Sequence, residues 1–325
     1  MSTLKIFYHG NCFDGVSSAA IFTRFYRECV DSAAQVSYQG MAHRRGDPYG
    51  DDHDALFDGD VNVVVDFRYS PSSKLTWYCD HHHSAFLEPE HRKHLEADQS
   101  GRKHFDSKAP SCTGLLARWL SADHGFDPTP MNDLIAWAEL IDAARFESPK
   151  QAVELGEPAL QIMALLEGGA STQLIDSIIY GLSRSPLTDV HSRTDVAGAL
   201  RPVLEQHRRT LEAIGRRIEV QDDVAFFDLT DLDGIETFNK FIPYYLCDDL
   251  RYVVGVSRTS SKAKVSVGSN PWDRPDPLVN LADLCGEYGG GGHAVVAAIS
   301  FPPEESNNAL QAGTAIAAKL RQAPR

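Results

Sequence analysis

Val61-Asn62-Val63-Val64-Val65-Asp66 and Leu75-Thr76-Trp77-Tyr78-Cys79-Asp80-His81-His82-His83 are the two stretches on which the fold turns. Each is an apolar run about one strand long that stops at an aspartate. A strand that is apolar almost throughout is buried on both faces, as in parallel sheets. Upstream, residues 4–9 read as a strand ending in His9, and residues 34–39 as a weaker one. Between them Val16, Ala19, Ala20, Phe22 and Phe25 recur at helical spacing over 15–28. Strands alternating with helices predict an α/β fold with a doubly wound, mostly parallel sheet. Such sheets bind ligands outside the carboxyl ends of their strands. His9, Asp66 and Asp80 are therefore expected at one site.

Further along, 86–108 is polar and histidine-rich and reads as loop with irregular helix. Residues 112–122 and 131–144 read as helices, with Asp142 near the end of the second. Residues 159–179 read as two helices broken around Gly168-Gly169, and 194–217 as a long charged connecting helix. Strands are then expected at 224–229, 252–258, 263–268 and 297–301, with a helix at 237–246. These make a smaller second α/β unit, 218–325. The stretch 46–60 holds six aspartates and reads as loop.

At 325 residues, 42% of them hydrophobic, the chain suits two domains with sizeable cores. No apolar run approaches the length of a membrane span, and the first residues show no signal-peptide pattern. A cytoplasmic protein without a membrane partner is expected. The six cysteines (Cys12, Cys29, Cys79, Cys112, Cys247 and Cys285) form no Cys-x-x-Cys pair and are expected reduced. The net charge of −14 weighs against a long nucleic-acid track, which needs a basic stripe. A short or small anionic substrate is easier to reconcile with it.

Carboxylates and imidazoles suit Mn²⁺, Mg²⁺ or Zn²⁺. His9 and Asp14 flank a turn and read either as metal ligands or as a strand-end histidine with a helix-capping aspartate. Asp66, ionised at the end of an apolar strand, needs a metal or a cation such as Arg68. In Asp80-His81-His82-His83 one imidazole can coordinate, another can serve a leaving oxygen, and a carboxylate can orient them. Asp142 reads as a ligand or as a partner of Arg145. The run Gly289-Gly290-Gly291-Gly292 before His293 lets backbone N–H groups approach a phosphate. Arg258, Lys262 and Lys264 could supply countercharge. Metal cluster and phosphate cradle together read as hydrolysis of a phosphate ester or anhydride.

In this order the segments resemble the DHH phosphoesterase family with its DHH-associated C-terminal domain, over nearly the whole chain. That family includes RecJ-type exonucleases, nano-RNases, cyclic dinucleotide phosphodiesterases and relatives acting on pyrophosphate or polyphosphate. The resemblance implies a metal-binding catalytic domain over 1–193, a helical connector over 194–217 and a substrate-binding domain over 218–325, with the active site in the cleft between domains. It implies two Mn²⁺ ions, with Mg²⁺ or Zn²⁺ as alternatives. His9 and Asp66 would hold one ion. Asp14, Asp66, His81 and Asp142 would hold the other, with Asp66 bridging. His82 would face the leaving group and Asp80 would orient the histidines. Arg258, Gly290, Gly291, Gly292 and His293 would bind substrate.

The implied activity is two-metal hydrolysis of short oligonucleotides or small nucleotides, as an oligoribonuclease or exonuclease does. A polyphosphate hydrolase and a non-catalytic nucleotide-binding module are the alternatives, and an oligomer is compatible with all three. Two positions depart from the family pattern. Cys12 stands where an aspartate is usual, and either coordinates a metal, packs, or leaves its place to water. Ala297-Ala298-Ile299 stands where two alanines and a glycine are usual.

Overall fold

The computed structural model describes every residue except 1, 43–45, 51, 234, 236, 237 and 325. The chain divides into two compact units, residues 1–146 with 156–201 and residues 147–155 with 202–325. The expected connector is one helix, Thr194–Arg217, with Pro202 inside it. Among the described residues no helix is long and apolar enough to cross a membrane.

The first unit is built on five parallel strands: β1 (Thr3–His9), β2 (Gln35–Met41), β3 (Val61–Val65), β4 (Leu75–Asp80) and β5 (Lys103–Phe105). Their order is β2-β1-β3-β4-β5. The chain leaves β1 for one side of the sheet and returns on the other, so the crossing direction reverses between β1 and β3. The crevice beyond the strand ends at such a reversal is where open α/β sheets bind ligands. The end of β1 and the residue after β3 are His9 and Asp66, and β4 ends in Asp80.

One face of this sheet packs Phe7, Val64, Tyr78 and Leu75 with Phe57, Phe67 and Tyr69. Ile6, Val63 and Val65, alternate residues on the same strands, are also fully buried. The helix Phe13–Cys29 is buried almost all round, from Phe13 to Thr23 without a break. It lies among the helices Cys112–His124, Asn132–Asp142 and Thr172–Leu182, which is why its apolar positions spill beyond one stripe.

The second unit carries six strands: β6 (Glu219–Gln221), β7 (Val224–Leu229), β8 (Tyr252–Arg258), β9 (Ala263–Ser269), β10 (Gly291–His293) and β11 (Val296–Phe301). The sheet is mixed, in the order β10-β11-β9-β8-β7-β6, with only β7 and β8 parallel. Val224, Tyr252, Val254 and Val256 face the helix Ser306–Arg321 through Ala309, Ala312 and Ile316. Ala225, Phe227 and Val253 face Ile214, Ile242 and Leu250. Period-two alternation thus sends neighbouring residues of one strand into two cores.

Three expectations are corrected. The 86–108 stretch contains the expected helix, Pro89–Glu96, but also the edge strand β5. The 46–60 loop contains the short helix His53–Leu56, capped by Asp52. The helix expected over 237–246 covers only Ile242–Leu246, since Pro243 suits a first helical turn rather than an interior; residues 236 and 237 lie outside those described.

The link from β1 to the first helix is very tight. A Cβ on Gly15 would lie 2.2 Å from the His9 carbonyl oxygen. Gly15→Ala is expected to destabilise the first unit by about 1–3 kcal/mol, the usual cost of overpacking, with the loss read as a lower denaturant midpoint. An unchanged midpoint would mean that the turn can open without cost.

Candidate metal centre

The turn after β1 sets the first residues. Gly10 N–H donates to Met41 O (2.8 Å), and Asn11 is left-handed at φ 57°. Cys12 is the extended residue before the helix, and its side chain makes no cap hydrogen bond. Asp14, fully buried, caps a different helix. Its carboxylate accepts from the N–H groups of Cys112 (2.7 Å) and Thr113 (3.0 Å), and Thr113 Oγ1 donates to Asp14 O at 3.1 Å. Ser111 Oγ accepts from Gly114 N–H (3.0 Å). The orphan amides at the start of Cys112–His124 are therefore met by one local and one distant residue. The negative charge of Asp14 also suits that helix end.

Asp66 is fully buried and left-handed at φ 56°, a conformation that aspartate tolerates better than most residues. Its N–H donates to Cys79 O (2.9 Å). Neither carboxylate oxygen has a hydrogen-bond partner among the described residues. Three imidazole nitrogens surround it instead: His81 Nε2 at 3.5 Å, His9 Nδ1 at 3.6 Å and His82 Nδ1 at 3.7 Å. Among the described residues no ion pair joins it to Arg68, the partner offered by its sequence neighbourhood.

Asp80 organises the turn after β4. Its Oδ1 accepts from His82 Nδ1 (2.7 Å) and His81 N–H (2.8 Å), and Tyr78 Oη donates to Oδ2 (3.3 Å). His81 Nδ1 donates to Ala109 O (3.0 Å), so its Nε2 carries the lone pair when the ring is neutral. That Nε2 faces Asp142 (3.3 Å), Asp66 (3.5 Å) and Asp14 (3.7 Å). Asp142 closes the helix Asn132–Asp142, where the helix dipole disfavours a carboxylate. His83 is exposed and belongs to none of these groupings.

Three sets of donor atoms converge, each within 4.8 Å: Asp66, Asp80, His81 and His82; His9, Cys12 and Asp66; Asp14, His81 and Asp142. A buried carboxylate with no hydrogen-bond partner among the described residues, ringed by imidazoles, is costly unless positive charge sits beside it. The donors fit a divalent ion. The ionisation pattern carries the same stress. Burial, then Asp66 and Asp142, push Asp14 well above the usual carboxylate range. Burial, then Asp66, push Asp142 up to about 6. Burial opposes the charge on His81 and His82. Even so, Asp66 and Asp14 raise His81 to about 10, and Asp80 raises His82 to about 9. Burial, then Asp66 and Asp14, push the Cys12 thiol up.

In the second unit the glycine run lies partly in a hairpin, with Gly291, Gly292 and His293 opposite Ala298, Ala297 and Val296. Most of these glycines have a reason within the fold. Gly289 sits at φ 77°, and a Cβ on Gly290 would strike Ala298 O (2.5 Å) and the Ile299 side chain (2.6 Å). Gly292 combines φ 150° with a contact of 2.5 Å to Val296 O. A Cβ on Gly291 meets nothing, and His293 is exposed. Arg258, at the end of β8, pairs with the exposed Asp233 (3.1 Å). Burial lowers the pKa of Lys264.

No protein-family model and no curated protein matches the chain. Solved structures do. The chain is similar to the pGpG-specific phosphodiesterase PggH from Vibrio cholerae, at TM-score 0.67 and 17% identity over 98% of this chain and 99% of that one. It is similar to RecJ from Thermus thermophilus in complex with Mn²⁺, at 0.56 and 12% over 98% of this chain and 52% of RecJ. It is similar to an exopolyphosphatase-related protein from Bacteroides fragilis, at 0.50 and 15% over 99% and 94%. The fold is therefore the α/β fold of these proteins, as the motif order led one to expect.

The histidines and carboxylates predict how the metal-free protein responds to pH. His81 and His82 have raised pKa values, so their stabilising contribution is complete below about pH 6.5 and is lost as pH rises through about 9 and 10. Asp142, raised to about 6, has already added its cost by pH 7. The melting temperature of chelator-treated protein is expected to fall between pH 7 and 9. Saturating Mn²⁺ should remove most of the fall, because a cation replaces the protons. A flat profile without metal would count against this arrangement of charges.

Proposed function

We propose that this chain is a metal-dependent DHH-type phosphodiesterase that hydrolyses short oligonucleotides or small nucleotides with two divalent cations. The observation that carries the reading is Asp66: fully buried, unbonded through both oxygens, and ringed by His9, His81 and His82. Similarity to a phosphodiesterase matched along its whole length supports the substrate class.

Asp14, Asp66, His81 and Asp142 would hold one ion, and Asp66 with His9 the other. Bound there, the pair would supply charge for the phosphoryl oxygens and an activated water as nucleophile. Ala109 O keeps His81 in the tautomer that coordinates through Nε2. Asp80 holds His82 by Nδ1, which leaves the proton for a departing oxygen on Nε2. Gly290, Gly291, Gly292, His293 and Arg258 would bind substrate phosphate or base. Within the run, Gly291 has no steric reason in the fold, and close approach of a ligand to its backbone would supply one.

The similarity to an exopolyphosphatase-related protein favours polyphosphate as the second reading. A panel assay with Mn²⁺ separates them, using a linear dinucleotide, a cyclic dinucleotide, longer RNA, single-stranded DNA and polyphosphate of defined length. The dinucleotide is expected to turn over fastest. Preference for polyphosphate would transfer the assignment to the second reading. Metal-loaded protein inert on all five would be a binding module.

Two variants test the roles. Asp66→Ala is expected to lower kcat by at least about a hundredfold and to reduce metal content, as befits loss of a shared metal carboxylate. A native rate with native metal content would refute the bridging role. Gly291→Val is expected to raise KM with metal content unchanged. Loss of metal at constant KM would make the glycine run structural.

A further inference from the structure

We infer that Cys12 is a metal ligand, so that one of the two cation positions is a thiolate–imidazole–carboxylate site built from Cys12, His9 and Asp66 and suited to a thiophilic ion such as Zn²⁺. The inference rests on the metal-centre reading above and concerns only which donors complete it.

One donor atom from each of Cys12, His9 and Asp66 lies within 4.8 Å of the other two. The carboxylate they share is fully buried, with no hydrogen bond to either oxygen among the described residues. Cys12 occupies the residue before the helix Phe13–Cys29 with an extended backbone (φ −119°, ψ 138°), yet its side chain caps nothing. The Gly15 N–H of the first helical turn lies close enough to the sulfur to favour its thiolate, the form that binds a metal. Two other cysteines nearby differ. Cys79 and Cys112 are fully buried, and Cys112 Sγ donates to Cys79 O (3.3 Å), as packing cysteines do. Cys12 is only half-buried and stands among acids and imidazoles.

Neither of the other two sets, Asp14 with His81 and Asp142, and Asp66 with Asp80, His81 and His82, contains sulfur. The two positions are therefore chemically unequal. Thiolate favours Zn²⁺ and other softer ions, whereas carboxylate suits Mn²⁺ and Mg²⁺. Binding replaces the thiol proton, which passes to solvent, by a metal–sulfur bond.

The test is a Co²⁺ titration of the metal-free full-length protein, read by absorption. Thiolate coordination gives a near-ultraviolet charge-transfer band, and oxygen and nitrogen donors give only the weaker visible bands. The charge-transfer band is expected in the wild type and in Cys112→Ser. It should vanish in Cys12→Ser and Cys12→Asp with the visible bands retained. Serine and aspartate are both favoured residues before a helix, so the fold should survive either change. Competition between Zn²⁺ and Mn²⁺ should shift toward Mn²⁺ in Cys12→Asp by at least about tenfold, the lower end of what losing even a ligand's supporting partner costs. Visible bands without charge transfer in the wild type would overturn the role of Cys12 and leave the metal centre standing. A charge-transfer band that persists in Cys12→Ser would overturn it as well. Failure to bind Co²⁺, Zn²⁺ or Mn²⁺ at all would overturn the metal centre and this inference together.

Discussion

A single buried carboxylate, ringed by imidazoles and without a close hydrogen bond among the described residues, governs the first unit. Asp66 sits just past β3, where the winding of the sheet reverses, and it is wholly removed from solvent. Moving a charge out of water costs several kcal/mol even after the surroundings relax. The protein meets that cost with imidazoles on neighbouring strand ends rather than with hydrogen bonds. His9 comes from β1, while His81 and His82 follow β4. Any solution that bonded the oxygens of Asp66 to fixed donors would stabilise the fold and leave no open coordination positions. The left-handed backbone at Asp66 belongs to the same compromise, since strained conformations persist where the surroundings over-determine them.

Around that carboxylate a division of labour follows. Asp80 and Ala109 O bond the Nδ1 atoms of His82 and His81 and so set their rings. Asp142 arrives from a helix end whose dipole repels it. In the second unit, alternation along β7 and β8 supplies a sheet buried on both faces. Its edge hairpin carries the glycines and His293.

Much of this was legible in the sequence, because the signals were terminations. Apolar runs that stop at His9, Asp66 and Asp80 declare both a buried parallel strand and the edge where it ends. The helix Thr194–Arg217 was legible for another reason, its length and its sustained charge. What escaped reading has physical causes. Strand β5 is three residues long, too short for alternation to register. A glycine run announces only backbone freedom, and a hairpin uses that freedom as readily as a phosphate cradle does. Asp14 read as a metal ligand or as a cap for its own helix, and the helix it caps is one whose first residue is 98 positions away. No local pattern encodes that partnership. Arg68 offered itself as the partner of Asp66 by proximity in sequence, and the histidines took the place instead.

The double duty of Asp14 bears on how such a chain could lose the proposed metal centre over evolutionary time. Its carboxylate anchors the start of Cys112–His124 through two amides while one oxygen faces His81. Drift at this position would loosen the architecture before it silenced the site, so selection for mere foldedness already guards it. Asp142 has no such anchor among the bonds described and stands against its helix dipole. Descendants that kept the shape but gave up the proposed metal centre would therefore shed Asp142 first and hold Asp14 longest. A surviving Asp14 would be a poor witness to activity, and a surviving Asp142 a good one.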